Sequence, residues 1–296
     1  MARLPYLLLA PAALIAALPA QTQQASSITV SISLADRLKE GQRMWEALLA
    51  QGENGTVRKT VEGLLAREGQ AVNPANYNDM HALVALRGLA ARAAVGEGAW
   101  EDGLDHLRKG QTAATENVTN AQALFAKLRV DHEARIKASE EAIAKQSPRL
   151  KELDDAPGLV DTQLRLRQQL RTFVDEHQAA IKHSQQSMKD MDAILAQLQK
   201  DREDFARDAD AWTGFLAKEK EDIASRGGVT AYVAEKVAQV KADDARPRTE
   251  RLAYAFRLQK LDPSNHDVER LLNGLLGKDE EPEKPAPKPK RKSKKA

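Results

Sequence analysis

No cysteine occurs anywhere in the 296 residues, and only 4% of them are aromatic. Without a thiol the chain can form no disulfide framework, no thiolate zinc site, no iron–sulfur cluster and no cysteine nucleophile. A lipid-modified cysteine is excluded on the same ground. An excess of one charge is missing too: 45 Lys and Arg stand against 43 Asp and Glu, a formal net charge of +2. So many balanced charges describe a mixed, solvated surface with no overall field. Past the amino terminus no stretch is apolar enough to span a bilayer, which takes about 20 consecutive apolar residues. The length allows one or two domains.

Catalytic motifs are also lacking. Gly98 and Gly103 have the glycine spacing of a phosphate loop, but Leu104 and Asp105 stand where Lys and Ser or Thr must follow, so no side chain could reach a phosphate. Gly96-Glu97-Gly98 has neither a third glycine nor a preceding strand. His132-Glu133 opens like a zinc-peptidase helix, yet Ile136 occupies the place of the second ligand. His177 and His183 fall on different helix faces and cannot share a metal. Carboxylate pairs such as Glu140-Glu141 and Asp243-Asp244 read as solvated helix or turn residues. The expectation is a non-enzymatic protein without cofactor or metal.

What is present begins with a leader. Arg3 precedes the apolar run Leu7 to Leu18, which is too short to cross a bilayer, is broken by Pro11 and ends at Pro19. That is the build of a secretory signal peptide over residues 1–20, cleaved between Ala20 and Gln21, and it places the mature chain in the periplasm or outside the cell. Residues 21–33 read as an extended linker. Within it Ile28-Thr29-Val30-Ser31-Ile32-Ser33-Leu34 alternates apolar and small polar residues, the period of a half-buried strand; it is expected to lie extended against the body, the alternatives being pairing with another chain or absorption into the next helix. Ser33 with Asp36 reads as a capping box that starts a helix at Leu34.

From Leu34 the chain reads as helices punctuated by glycine, over residues 34–117. Leu34 to Gln51 is one helix, Gly52-Glu53-Asn54-Gly55 a turn, and Thr56 to Arg67 the next helix. A loop from Asn73 to Asn78 leads into an alanine-rich helix from Met80 to Val95, and Ala99 to Thr115 returns. Each hairpin is too thin to bury its own apolar face, so the hairpins must stack. The stretch Gly88-Leu89-Ala90 through Trp100, Gly103, Leu104 and Leu107 to Gly110 resembles a tetratricopeptide repeat, with small residues where paired helices touch and an aromatic opening the second helix. Ala253 to Asn265 is similar to that family's close of one repeat and start of the next. The resemblance implies a stacked all-α array that binds a peptide or protein partner.

Residues 118–226 carry the most regular pattern. Leu166, Leu170, Phe173, His177, Ile181, Ser184, Met188, Met191, Leu195, Leu198, Arg202, Phe205, Ala209, Trp212 and Leu216 are spaced mostly three and four apart, which is a heptad seam. An extra four-residue step between His177 and Ile181 is a stutter. The polar members His177, Ser184 and Arg202 read as register-setting. Ala121 to Leu153 is a second long helical stretch, kinked or restarted at Pro148. Ala156-Pro157-Gly158 reverses the chain, so the two stretches should form a long antiparallel coiled-coil arm that also offers a route to a homo-oligomer. The second stretch, Leu159 to Ser225, is about 100 Å long at 1.5 Å per residue and longer than the first, so its distal part needs another partner, from the terminal hairpins or a second chain.

Residues 227–277 read as further repeat-like helices: Val229 to Val240, Arg248 to Lys260, and a last one capped by Ser264 and ended by Gly277. The remaining 278–296 are low in complexity and read as a disordered tail. Lys284, Lys288, Lys290, Arg291, Lys292, Lys294 and Lys295 put seven positive charges and no negative one into its final 13 residues. Such a tail suits an anionic envelope polymer or membrane surface, or serves solubility alone. The sequence as a whole points to an exported all-α scaffold for a protein partner, with polyanion binding by the tail as the alternative.

Overall fold

The computed structural model describes residues 33–277. The leader, the linker up to Ile32 with most of its alternating run, and the seven basic residues of the tail lie outside the described residues. Those described form eight helices and no strand: α1 (Leu34–Gln51), α2 (Asn54–Arg67), α3 (Tyr77–Gly96), α4 (Trp100–Asp155), α5 (Asp161–Ser225), α6 (Val229–Ala242), α7 (Arg248–Leu261) and α8 (His266–Leu276). Leu34, the last residue of the alternating run, is the first of α1.

Local chemistry sets the helix ends. Ser33 Oγ accepts the Asp36 amide at 3.2 Å and donates to the Asp36 carboxylate at 2.8 Å, which starts α1 at Leu34. Gly52 closes it in the left-handed conformation, φ 87°, with its N–H on the Leu48 and Leu49 carbonyls. The helix then resumes at once: Asn54 and Gly55 form the first turn of α2 instead of extending the turn before it. Asn265, not Ser264, caps α8; its side chain accepts from the Asp267 and Val268 amides.

Two apolar cores share α3. Ala82, Leu86, Leu89, Ala90 and Ala93 face Leu38, Trp45, Val61 and Leu65 of α1 and α2. Met80, Val84, Ala91 and Val95 face the other way, toward α4, α5 and the carboxyl-terminal helices. A helix buried on both sides needs apolar residues all round, hence its run of small and aliphatic side chains. The second core centres on Trp100, whose ring meets Trp212, Phe215 and Tyr254 edge to face at 5.7, 5.2 and 5.3 Å between centroids.

The largest departure from the sequence reading is α4. A helix ending at Thr115 and another starting at Ala121 are one unbroken helix of 56 residues, so the boundary between 117 and 118 falls inside it. Glu116-Asn117-Val118-Thr119-Asn120 has poor helix propensity, but Asn117, Val118 and Ala121 are buried and Asn120 Nδ2 donates to the Pro74 carbonyl at 3.0 Å. The hydroxyls of Thr115 and Thr119 bond back to the carbonyls four residues earlier, at 2.8 and 3.0 Å. Tertiary packing overrides propensity here. Pro148 likewise lies within α4; on this exposed stretch the carbonyl it leaves unbonded can meet water.

Candidate interaction surfaces

After the Ala156-Pro157-Gly158 break α5 runs back antiparallel to α4. Cross-helix bonds record the register: Arg171 Nη2 to Asp154 at 2.7 Å, His177 Nδ1 with Ser139 Oγ at 3.2 Å, Arg129 to Asp192, and Arg108 Nη2 to Thr213 Oγ1 at 3.3 Å. Up to Phe125 the pair is covered by the body, since Tyr77 of α3 meets the Phe125 ring at 6.0 Å. From Leu128 outward the partners of α4 come from α5. That free arm is roughly 40 Å long at 1.5 Å per residue.

The residues of the seam divide along this length. Leu170, Met191, Leu198, Phe205, Trp212 and Leu216 are buried. Phe173, Ile181, Met188 and Leu195 are half-buried, as expected where only two helices meet. Met191 and Leu198 pack with Val118, Ala121 and Phe125. Phe205, Trp212 and Leu216 enter the core around Trp100 with Tyr232, Val233 and Tyr254. The distal part of α5 thus finds its partners within this chain, in the first half of α4 and in α6 and α7. Among the polar members, Ser184 is buried and His177 holds Ser139 across the pair.

The aromatic core is closed by an ion network that sequence patterning does not reveal. Arg257 Nη1 and Nη2 donate to the two Glu101 carboxylate oxygens at 2.6 Å each, and Nη2 and Nε donate to Glu219 at 2.6 and 3.1 Å. The guanidinium carbon lies 5.0 Å from the Trp100 ring centroid. Burial by itself would lower the Arg257 pKa, but the bonds to Glu101 and Glu219 outweigh it and hold the group charged. The same bonds hold Glu101 below the usual carboxylate range. α4, α5 and α7 are pinned together through one side chain. No spacing rule could find it, because its partners lie 156 and 38 residues away.

Buried polar groups also occur on α3, α4 and α5. His81 Nδ1 is 3.7 Å from Asp201 Oδ2. Asn117 is 1% exposed, and among the described residues nothing bonds to either of its amide atoms. Asp208 is 4% exposed, with Oδ2 likewise unpaired, and burial pushes its carboxyl above the ordinary value. Asp201 is raised for the same reason, and burial lowers His81.

Depressions open on the surface of the described residues. One, of about 460 Å³, lies along α5 beside Arg165, Gln169, Phe173 and Glu176. Another, of about 240 Å³, lies between the α1–α2 turn, Glu97 and α7 at Phe256 and Lys260. Two large apolar side chains are exposed near the tip of the arm, Val160 at 61% and Leu164 at 40%. Among the described residues no group of three or more His, Asp or Glu side chains is arranged to hold a metal ion, and no helix is long and apolar enough to cross a membrane. No family model, curated protein or solved structure matches this chain.

Proposed function

We propose that the protein is an exported, non-enzymatic helical scaffold that holds a protein partner through tetratricopeptide-like hairpins and a coiled-coil arm. The observation that carries this reading is the arm itself. Two helices run some 40 Å past the body, with only a narrow seam between them and solvent-exposed faces on every other side. Such a projection contributes little to the stability of the body and makes physical sense as reach. The hairpins support it: α3 lies between α1–α2 and α4 with small residues at the contacts, the packing economy of stacked helix pairs.

Site-specific photocrosslinking in the producing cells tests it. A crosslinker at Val160 or Gln168 should trap a discrete heterologous adduct or a self-adduct; arm positions as silent as Thr60 on the body would refute it. The tail supports a second reading, because seven positive charges without a negative one suit a polyanion. A chain ending at Gly277 should then elute from heparin and anionic vesicles at lower salt than the full chain, and identical elution would remove this reading.

A further inference from the structure

The Asn-Gly pair at 54–55 opens α2, and that place gives it a chemistry of its own. The first intrahelical bond of α2 runs from the Val57 amide to the Glu53 carbonyl at 3.3 Å, and no side chain caps this end. Among the described residues nothing accepts the Gly55 N–H, as expected for one of the orphan donors of a first turn. Gly55 is exposed and carries no Cβ to shield its nitrogen. The neighbouring Asn54 carboxamide is held by a single bond, from Nδ2 to the Gly52 carbonyl at 3.3 Å. The 240 Å³ depression beside both residues gives water access to them.

We propose that Asn54 is a self-modification site, converting to aspartate and isoaspartate by reaction with its own backbone and water. The Gly55 nitrogen bonds to Asn54 Cγ while the Cγ–Nδ2 bond breaks, and ammonia leaves carrying the proton from the Gly55 N–H. Water then opens the five-membered imide at either carbonyl, returning one carboxylate in both products. No cofactor or second protein is needed. An uncapped first turn frays readily, which supplies the backbone rotation that the attack requires.

A second Asn-Gly pair is protected by its place in the fold. Asn273 and Gly274 lie within α8, where i to i−4 geometry ties the Gly274 amide to the Arg270 carbonyl. The left-handed cap at Gly277 returns its own N–H to the Asn273 and Gly274 carbonyls and locks that turn. The same dipeptide is thus reactive at one site and inert at the other.

Conversion has a structural consequence. The Asn54 amide rests on Gly96 so closely that a Cβ there would come within 2.4 Å of Cγ and Nδ2. A carboxylate in its place loses the bond to the Gly52 carbonyl, and isoaspartate inserts a methylene into the backbone of the turn. The α1–α2 hairpin loosens where it seats on the α3–α4 connection.

The test incubates the full chain in mildly alkaline buffer, natively and in denaturant, and follows two tryptic peptides, 44–58 and 271–278. In the native chain the first should accumulate aspartate and isoaspartate forms while the second stays amidated; in denaturant both should convert. Equal native rates, or an Asn54 that converts only in denaturant, overturn the proposal. Gly55→Ala should slow conversion by about tenfold, because a Cβ removes the backbone freedom of glycine. That variant should fold, since its Cβ meets only the flexible end of Glu97, at 2.8 Å. Aged wild type should melt below fresh wild type and aged Gly55→Ala should not; a fully converted chain with an unchanged melt would overturn the loosening.

Discussion

Replacing Gly110 by alanine tests how closely α4 and α5 approach at the base of the arm. A Cβ built on Gly110 would stand 2.2, 2.6 and 2.9 Å from three carbons of the Phe205 ring. The ring cannot retreat, because Phe205 is 1% exposed and packed within the core around Trp100 and Trp212. Overpacking of this kind costs about 1–3 kcal/mol, whereas Gly→Ala inside a helix returns about 1 kcal/mol of propensity. With a clash this short the upper end of the cost applies, leaving a net loss of about 1–2 kcal/mol. Gly214 of α5 is the control: it is exposed, and a Cβ there meets nothing within 4 Å. Gly214→Ala should therefore gain up to about 1 kcal/mol. Urea titrations followed by circular dichroism measure both. Phe205→Leu, which shortens the opposing side chain, should offset part of the Gly110→Ala loss, giving a double-mutant coupling of about 1 kcal/mol or more. A Gly110→Ala protein as stable as Gly214→Ala would refute the close approach, and so would full additivity with Phe205→Leu.

Other perturbations address the arm, the ion network and the buried polar groups. Leu198→Asp should lose about 3 kcal/mol or more from a buried, uncompensated charge, while Lys200→Ala on the exposed side should leave the thermal melt unchanged. Arg257→Ala leaves Glu219, 4% exposed, without its cation; a loss of about 3–5 kcal/mol is expected, and a melt within error of wild type would show that the network is dispensable. Asp208→Asn should stabilise the protein at neutral pH. The folded-state pKa of Asp208 lies above its ordinary 3.8, so its ionised form penalises the fold above that raised value, and the penalty vanishes below 3.8. The advantage of Asp208→Asn should thus shrink as pH falls, and a pH-independent difference in denaturation midpoints would contradict the assignment to buried charge.

The helical class and most helix ends are legible in the sequence, because those signals are local. Ser33 and Gly52 bound α1 by cap chemistry that needs no knowledge of the rest of the chain. Pro157 and Gly158 break the arm for equally local reasons, and the spacing from Leu170 to Leu216 marks one face of α5 whatever covers it. What covers that face depends on how the helices pack. Asn117 to Asn120 stay helical because α5 and the Pro74 carbonyl hold them, so two helices read from propensity became one. Gly110 is required by Phe205, 95 positions further on, whose ring leaves no room for a Cβ. Arg257 is one of several charged residues on α7, and its pairing with Glu101 and Glu219 depends on three helices converging and leaves no trace in spacing. Local capping and periodicity are properties of a few consecutive residues, whereas register, burial of charge and the fate of a glycine are properties of neighbours the chain meets only when folded.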